Sequence, residues 1–230
     1  MTNLLKDKEV LFFDVGYTLD KPASGDWMFT RKFLELAGDR LKQRNETQIL
    51  EAKNAGLRFL AQNHLVTTVE AEIRQFTEYY SIISDRLGLG LNESEKEQAA
   101  RDRACNMENY IPYPGTKDVL AELSRMHRIG IISDTWPSIR EQLEYLGVSR
   151  YISFETYSCF VGTFKPDRRM YLDALGKCGV PAEKTVFIDD GLCNLDGAAA
   201  LGITPVLIAA NPESDVDTKY LKIHDLRELI

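Results

Sequence analysis

Apolar and polar positions recur along the chain with two different periods, and the change from one to the other divides it. Val10, Leu11, Phe12 and Phe13 are apolar in succession and end at Asp14, which predicts a short strand covered on both faces. From about Asp26 to Asn109 the spacing is helical, with almost no strand signal. Phe29, Phe33, Leu34 and Leu41 share one helical face, and Ile49, Ala52, Lys53, Leu57 and Leu60 share another. Ile73, Phe76, Tyr80, Ile83 and Leu87 form a third, with Gly88 placed as a stop, and the stretch has room for four helices.

After Tyr113-Pro114-Gly115 helices and strands alternate. A helix with Val119, Leu120, Leu123 and Met126 inward leads to a strand at Ile129 to Ser133. Asp134 or Thr135 is placed to cap the next helix, with Pro137 in its first turn, Ile139, Leu143 and Leu146 as its buried stripe and Gly147 at its end. A strand near Ile152 to Tyr157 follows, then a helix from about Asp167 to Cys178 that stops at Gly179. Val186 to Asp189 reads as a strand, a small-residue helix ends at Gly202, and Thr204 to Ile208 reads as the last strand. This alternation predicts an α/β fold whose parallel sheet is covered on both faces, with a helical insertion after the first strand. No internal repeat or Gly/Ser linker interrupts it.

Ligands of such sheets bind beyond the carboxyl ends of the strands. That rule selects Asp14, Ser133 and the pair Asp189-Asp190, with Lys165 in a loop before a helix as a fifth candidate. A carboxylate can attack phosphorus. Paired carboxylates can hold Mg²⁺, which prefers hard oxygens. A hydroxyl and an ammonium can then hold phosphoryl oxygens as charge develops. Taken singly, each of these residues is equally a turn, cap or surface residue; the adjacent aspartates say more, because they repel unless a cation or donors compensate.

Charge narrows the partners. With 28 Lys and Arg against 35 Asp and Glu, the net charge of −7 lacks the field that attracts nucleic acid or an anionic membrane. No apolar run approaches the ~18 residues that a membrane helix needs. The polar lead from Met1 to Glu9 has no apolar region and no small-residue cleavage site, so the expected location is the cytoplasm. Cys105, Cys159, Cys178 and Cys193 form no Cys-x-x-Cys pair and read as reduced thiols, and His64, His127 and His224 are too scattered for a ligand motif. Oligomeric state has no signature in the sequence.

Four segments, in order, resemble the motifs of the haloacid dehalogenase superfamily, most of whose members are phosphatases. Asp14-Val15-Gly16-Tyr17-Thr18-Leu19 is similar to its first motif, D-x-D-G-T-L, and Ile131-Ile132-Ser133 to its second. Thr163-Phe164-Lys165-Pro166-Asp167 is similar to the third. Phe187-Ile188-Asp189-Asp190-Gly191-Leu192-Cys193-Asn194, with Gly197-Ala198 and Leu201-Gly202, is similar to the fourth. The resemblance spans the chain. It implies a Rossmann-like three-layer core with a parallel sheet, built from residues 1–18 and 113–230, and an inserted α-helical cap over residues 19–112.

The resemblance also implies roles. Asp14 is the expected nucleophile and a metal ligand, joined by Asp190, by Asp189 in a supporting place and by the backbone carbonyl of Gly16. Ser133 and Lys165 are expected on the phosphoryl group, with Asp134 beside them in substrate binding, and Asn194 is expected to orient the metal loop. Mg²⁺ is the implied cofactor and a small phosphorylated metabolite the implied substrate.

One departure matters. Two residues after the nucleophile the phosphatases carry an Asp that protonates the leaving group and then activates water; here that residue is Gly16. Such acid–base help is worth roughly 10²–10⁴ in rate, so weak turnover of alkyl phosphates is expected, with aryl and acyl phosphates less affected. Tyr17, Asp20 and Lys21 are the nearest replacements. The dehalogenases also lack the Asp but carry an uncharged fourth motif, unlike Asp189-Asp190. Phosphonatases carry Ala there and use a cap lysine to form an imine, a reading for which Lys53 is the candidate. A phosphate-binding or regulatory protein with weakened catalysis is a third reading, and Trp27, Met28 and Phe29 could line a pocket or form core.

Overall fold

The computed structural model describes residues 4–230; the first three residues of the polar lead lie outside it. In chain order, β1 is Val10–Phe13 and β2 Asp20–Pro22, followed by α1 Arg31–Lys42, α2 Glu46–Gln62, α3 Val69–Leu87 and α4 Glu93–Cys105. Then come β3 Tyr110–Pro112, α5 Thr116–Leu123, β4 Arg128–Ser133, α6 Ile139–Tyr145, β5 Ile152–Tyr157, α7 Ser158–Val161 and α8 Arg168–Cys178. The chain closes with β6 Thr185–Asp189, α9 Leu192–Ala199, β7 Thr204–Ile208 and β8 Leu221–Ile223. It divides into an α/β unit of residues 4–21, Pro112–Thr135 and Gln142–Ile230, and a helical unit of Pro22–Ile111 and Trp136–Glu141.

In the α/β unit six parallel strands lie in the order β5-β4-β1-β6-β7-β8. β1 sits between β4 and β6, with Phe13 level with Ile131 on one side and Ile188 on the other. The chain builds outward from β1 first one way and then the other, which opens a crevice at its carboxyl end. Because side chains alternate, Val10 and Phe12 pack with Met170, Tyr171, Phe187 and Leu195 under α8 and α9. Leu11 and Phe13 point to the opposite face, where α5 lies on β4. All four β1 side chains are fully buried, each worth about 1.5–3 kcal/mol of transfer free energy.

The helical unit holds its own core around Phe33, Phe76, Tyr79, Tyr80, Ile83 and Trp136. Its helices start where sequence provides caps: Thr30 and Thr68 accept from Phe33 and Ala71, and Asn45 and Asn92 make reciprocal boxes with Gln48 and Glu95. Gly88 ends α3 at φ +57°, where a side chain would strain the backbone.

Three sequence expectations are corrected. Neither Asp134 nor Thr135 caps the helix after β4, because α6 begins only at Ile139 and Asp134 is engaged elsewhere. Leu34, Leu57 and Met126, expected on buried stripes, are exposed; α5 stops at Leu123, before Met126. Thr204 to Ile208 is not the last strand, since β8 adds a short parallel edge beyond it.

Candidate functional site

All the strand-end candidates belong to the α/β unit. Asp14 follows the last residue of β1, and its N–H donates to Ile188 O at 2.9 Å, so the ladder to β6 carries through it. A tight turn comes next: the N–H groups of Thr18, Leu19 and Asp20 all point at Val15 O, at 3.1, 2.7 and 3.2 Å. Tyr17 within that turn has φ +56°, a left-handed conformation that costs a non-glycine residue about 1–2 kcal/mol. It occupies the place where the resembled motif has glycine, so the turn keeps the shape without the residue that suits it.

Lys165 is the hub. Its fully buried ammonium lies 2.8 Å from Asp14 Oδ1 and 2.7 Å from Asp189 Oδ2. Burial works against its charge, yet Asp14, Asp189 and Asp134 together hold its pKa well above the ordinary lysine value. Its backbone N–H donates to Asp134 Oδ1 at 2.9 Å, which is why Asp134 is not free to cap a helix. Gly197 lets α9 approach this turn: a Cβ there would stand 2.9 Å from Pro166 Cβ and 3.0 Å from the Tyr171 ring.

Asp189 and Asp190 differ although they are neighbours. Asp189 is fully buried, with Gly191 N–H and Asn194 Nδ2 on Oδ1 at 2.7 and 3.0 Å and Lys165 on Oδ2. Tyr171 in turn holds Asn194, donating to its carbonyl at 2.8 Å. Asp190 is half-buried and accepts one hydrogen bond, from Ser214 Oγ at 3.0 Å. Asp14, Asp189 and Asp190 each offer an oxygen within 4.8 Å of the others. Burial pushes Asp14 up, more than Lys165 pulls it down, and Asp189 adds to the rise. Burial, then Asp14 and Asp189, push Asp190 to about 7, and burial brings Asp134 to about 6 against the pull of Lys165. Asp14 and Asp190, whose ionised forms are disfavoured, crowd with Asp189 into a donor set that a hard divalent cation would relieve, and their oxygens suit Mg²⁺.

Ser133 is the last residue of β4, buried and level with Tyr157 of β5, on the strand next to β1. The structure therefore brings Asp14, Lys165, Asp189 and Asp190 into direct or near contact, and sets Ser133 and Asp134 at the adjoining strand end. Gly16 lies in a bridge with Asp20. Asp20 is fully buried; burial, opposed by the Gln142 Nε2 hydrogen bond at 2.6 Å, raises it to about 8. Lys21 lies instead over the Tyr113 ring at 5.7 Å.

Other singled-out residues have plainer surroundings. Lys53 pairs with Asp26 and lies 5.0 Å over the Phe29 ring, Trp27 stacks on Tyr110 at 6.4 Å, and Arg169 folds back on Asp167 at 2.7 Å. Phe29 belongs to the core of the helical unit, with Met28 packed against it. The four cysteines are free thiols. Among the described residues, no helix is long and apolar enough to cross a membrane. Sequence reasoning missed Ser214, Gln142 and Tyr171, whose partners stand 24, 122 and 23 residues away in the chain, with no spacing signal to join them.

A family profile described as haloacid dehalogenase-like hydrolase matches residues 11–202. The GMP/IMP nucleotidase YrfG of Escherichia coli (strain K12) is 28% identical over 157 residues, which cover 64% of this chain and 65% of that protein. The phosphoserine phosphatase of Thermus thermophilus is 30% identical over 125 residues, 52% of this chain and 50% of that one. Both alignments thus span less than two thirds of the relative. The structure of a 2-haloacid dehalogenase from Pseudomonas syringae pv. Tomato DC3000 superposes with a TM-score of 0.64 at 20% identity, covering 96% of each chain, a likeness of fold alone.

Proposed function

The chain belongs to the haloacid dehalogenase-like hydrolases, and from that premise we propose that it is a Mg²⁺-dependent phosphatase of a small phosphorylated metabolite. The observation that carries this reading is the Lys165 ammonium held between Asp14 and Asp189, with Asp190 completing a three-carboxylate cluster. Asp14 attacks phosphorus, the bond to the leaving oxygen breaks, and water then hydrolyses the aspartyl-phosphate, returning the carboxylate and releasing phosphate. Lys165 and Ser133 hold phosphoryl oxygens, and Asp134 fixes the Lys165 turn through its backbone N–H.

Asp14, Asp190 and the Gly16 carbonyl would hold Mg²⁺, which supplies charge neutralisation for the carboxylates and the phosphoryl group. Asp189 supports them: its oxygens are committed to Lys165, Asn194 and Gly191. With Gly16 in place of an acid, water protonates the leaving oxygen, so turnover depends steeply on leaving-group basicity. The activities of the relatives, nucleotidase and phosphoserine phosphatase, agree in substrate class: small phosphate esters.

Two alternatives fare less well. A phosphonatase-like route needs a neutral lysine amine, whereas the Lys53 ammonium is engaged by Asp26. A carbon–halogen hydrolase binding a carboxylate substrate would set it against the Asp14, Asp189 and Asp190 cluster. The test is Mg²⁺-dependent phosphate release from aryl, acyl, sugar and nucleotide phosphates, run beside Asp14→Asn. Release that disappears in the variant supports the reading. Full activity in Asp14→Asn sinks the nucleophile assignment, and silence of the wild-type chain with Mg²⁺ still bound favours a phosphate-binding or regulatory role.

A further inference from the structure

Where a strand ladder ends, the next main-chain N–H and C=O groups lose their partner across the sheet and must take another. β4 and β5 pair in register up to Ser133 and Tyr157. Two residues beyond Ser133, a side chain takes over from the ladder. Thr135 N–H donates to Ser158 Oγ at 2.7 Å, and the same hydroxyl donates its proton to Thr135 O at 3.2 Å. A hydroxyl can accept and donate at once, so one serine clasps both main-chain groups of one residue. Ser158 is fully buried and directly follows β5, as the first residue of α7.

The clasp also joins two loops. α7 is a single turn, closed where Gly162 N–H donates to Ser158 O at 2.7 Å, and Lys165 stands three residues after that glycine. Lys165 N–H in turn donates to Asp134 Oδ1 at 2.9 Å. Asp134 and Thr135 are thus gripped in succession, one by the Lys165 loop and the other by the residue that opens α7. Ser133 is the last residue of the ladder, the place where a strand frays most readily. All of these residues belong to the α/β unit.

We infer that Ser158 is a positioning residue for the Ser133–Thr135 turn: by clasping Thr135 at both main-chain groups it keeps the end of β4 from fraying and so sets where Ser133 presents its hydroxyl. The consequence for turnover rests on the phosphatase reading above; the clasp itself does not. Ser158 acts through Thr135 rather than through contact with substrate.

The experiment uses the full chain with Ser158→Ala, which removes the hydroxyl, and Ser158→Cys, which replaces it with a weaker donor and acceptor of similar size. Amide hydrogen exchange is followed at Thr135 and across β6, and kcat and KM are measured on an aryl phosphate in wild-type and Ser133→Ala backgrounds. Exchange at Thr135 rises about tenfold in Ser158→Ala and by less in Ser158→Cys, with the β6 amides unchanged. In the wild-type background Ser158→Ala lowers kcat/KM about 3- to 10-fold, mostly in kcat, and in the Ser133→Ala background it costs less than about twofold more. Equal losses in both backgrounds, unchanged exchange at Thr135, or a rise at Thr135 matched across β6 overturns the inference. Should Ser158→Ala fail to fold, Ser158→Cys carries the same comparisons. If the wild-type chain releases no phosphate, the phosphatase reading fails while the exchange arm still decides the clasp.

Discussion

Ser214 Oγ donates to Asp190 Oδ2 across 3.0 Å, so the most exposed of the three clustered carboxylates is aimed by the short turn that follows β7. Groups that orient a metal ligand from behind typically change metal affinity by 10- to 100-fold when removed. Ser214→Ala is expected to weaken Mg²⁺ binding by about tenfold at the low end of that range, measured by calorimetry with the metal alone.

Lys165 is the cation that offsets Asp14 and Asp189 in the interior. Lys165→Met leaves those two carboxylates together with no positive partner, a change that costs about 3–5 kcal/mol in comparable buried pairs. Urea unfolding is expected to show that loss. Added Mg²⁺ is expected to raise the unfolding midpoint of the variant more than that of the wild type, because the cation then meets more uncompensated charge.

Restoring an acid at the departed position tests what its loss does. Gly16→Asp is expected to raise kcat on alkyl phosphates by about 10²-fold or more and to change aryl phosphate turnover far less. A uniform change across leaving groups would mean that proton donation is not what the chain lacks.

Burial lowers His64 to about 4, from an ordinary histidine value of 6.5. In the unfolded chain this group takes up a proton below its ordinary value, whereas the folded chain resists doing so until about 4. The unfolded state thus binds more protons through that window, and stability present above it is lost as pH falls, by up to about 3 kcal/mol. His64→Gln is expected to flatten this slope. Fluorescence-monitored urea unfolding reads it directly, since both tryptophans, Trp27 and Trp136, lie in the same helical unit as His64.

The parts of the fold that were legible in the sequence are those set by local pattern. β1, β4 and β6 are apolar runs that end at a polar residue, and α1, α2 and α3 carry apolar stripes at helical spacing. Asp14, Asp189 and Asp190 were legible because parallel strands put their carboxyl ends at one edge, so the end of a strand is itself a coordinate, whereas Lys165, in the loop before α8, has no such coordinate and was singled out by its motif. β8 was not, because Leu221, Lys222 and Ile223 are too few to show a period and only Ile223 is buried. Asp134 reads locally as a cap, but a tertiary partner, the Lys165 N–H, takes its carboxylate. Glu72 reads as one more polar position on α3; only the fold reveals that Ser138, 66 residues later, fills it.

The six residues Trp136–Glu141 have a bearing on how the chain can be cut. Joining Lys21 directly to Pro112 looks, on paper, like a clean excision of the helical insert. It would strip Trp136 of Gln75, Phe76 and Arg103, and Ser138 of Glu72, leaving an indole and an orphaned loop on the remaining fragment. The chain thus passes between the two units at four places rather than two, and a truncated version needs a redesigned 136–141 loop to stay in solution.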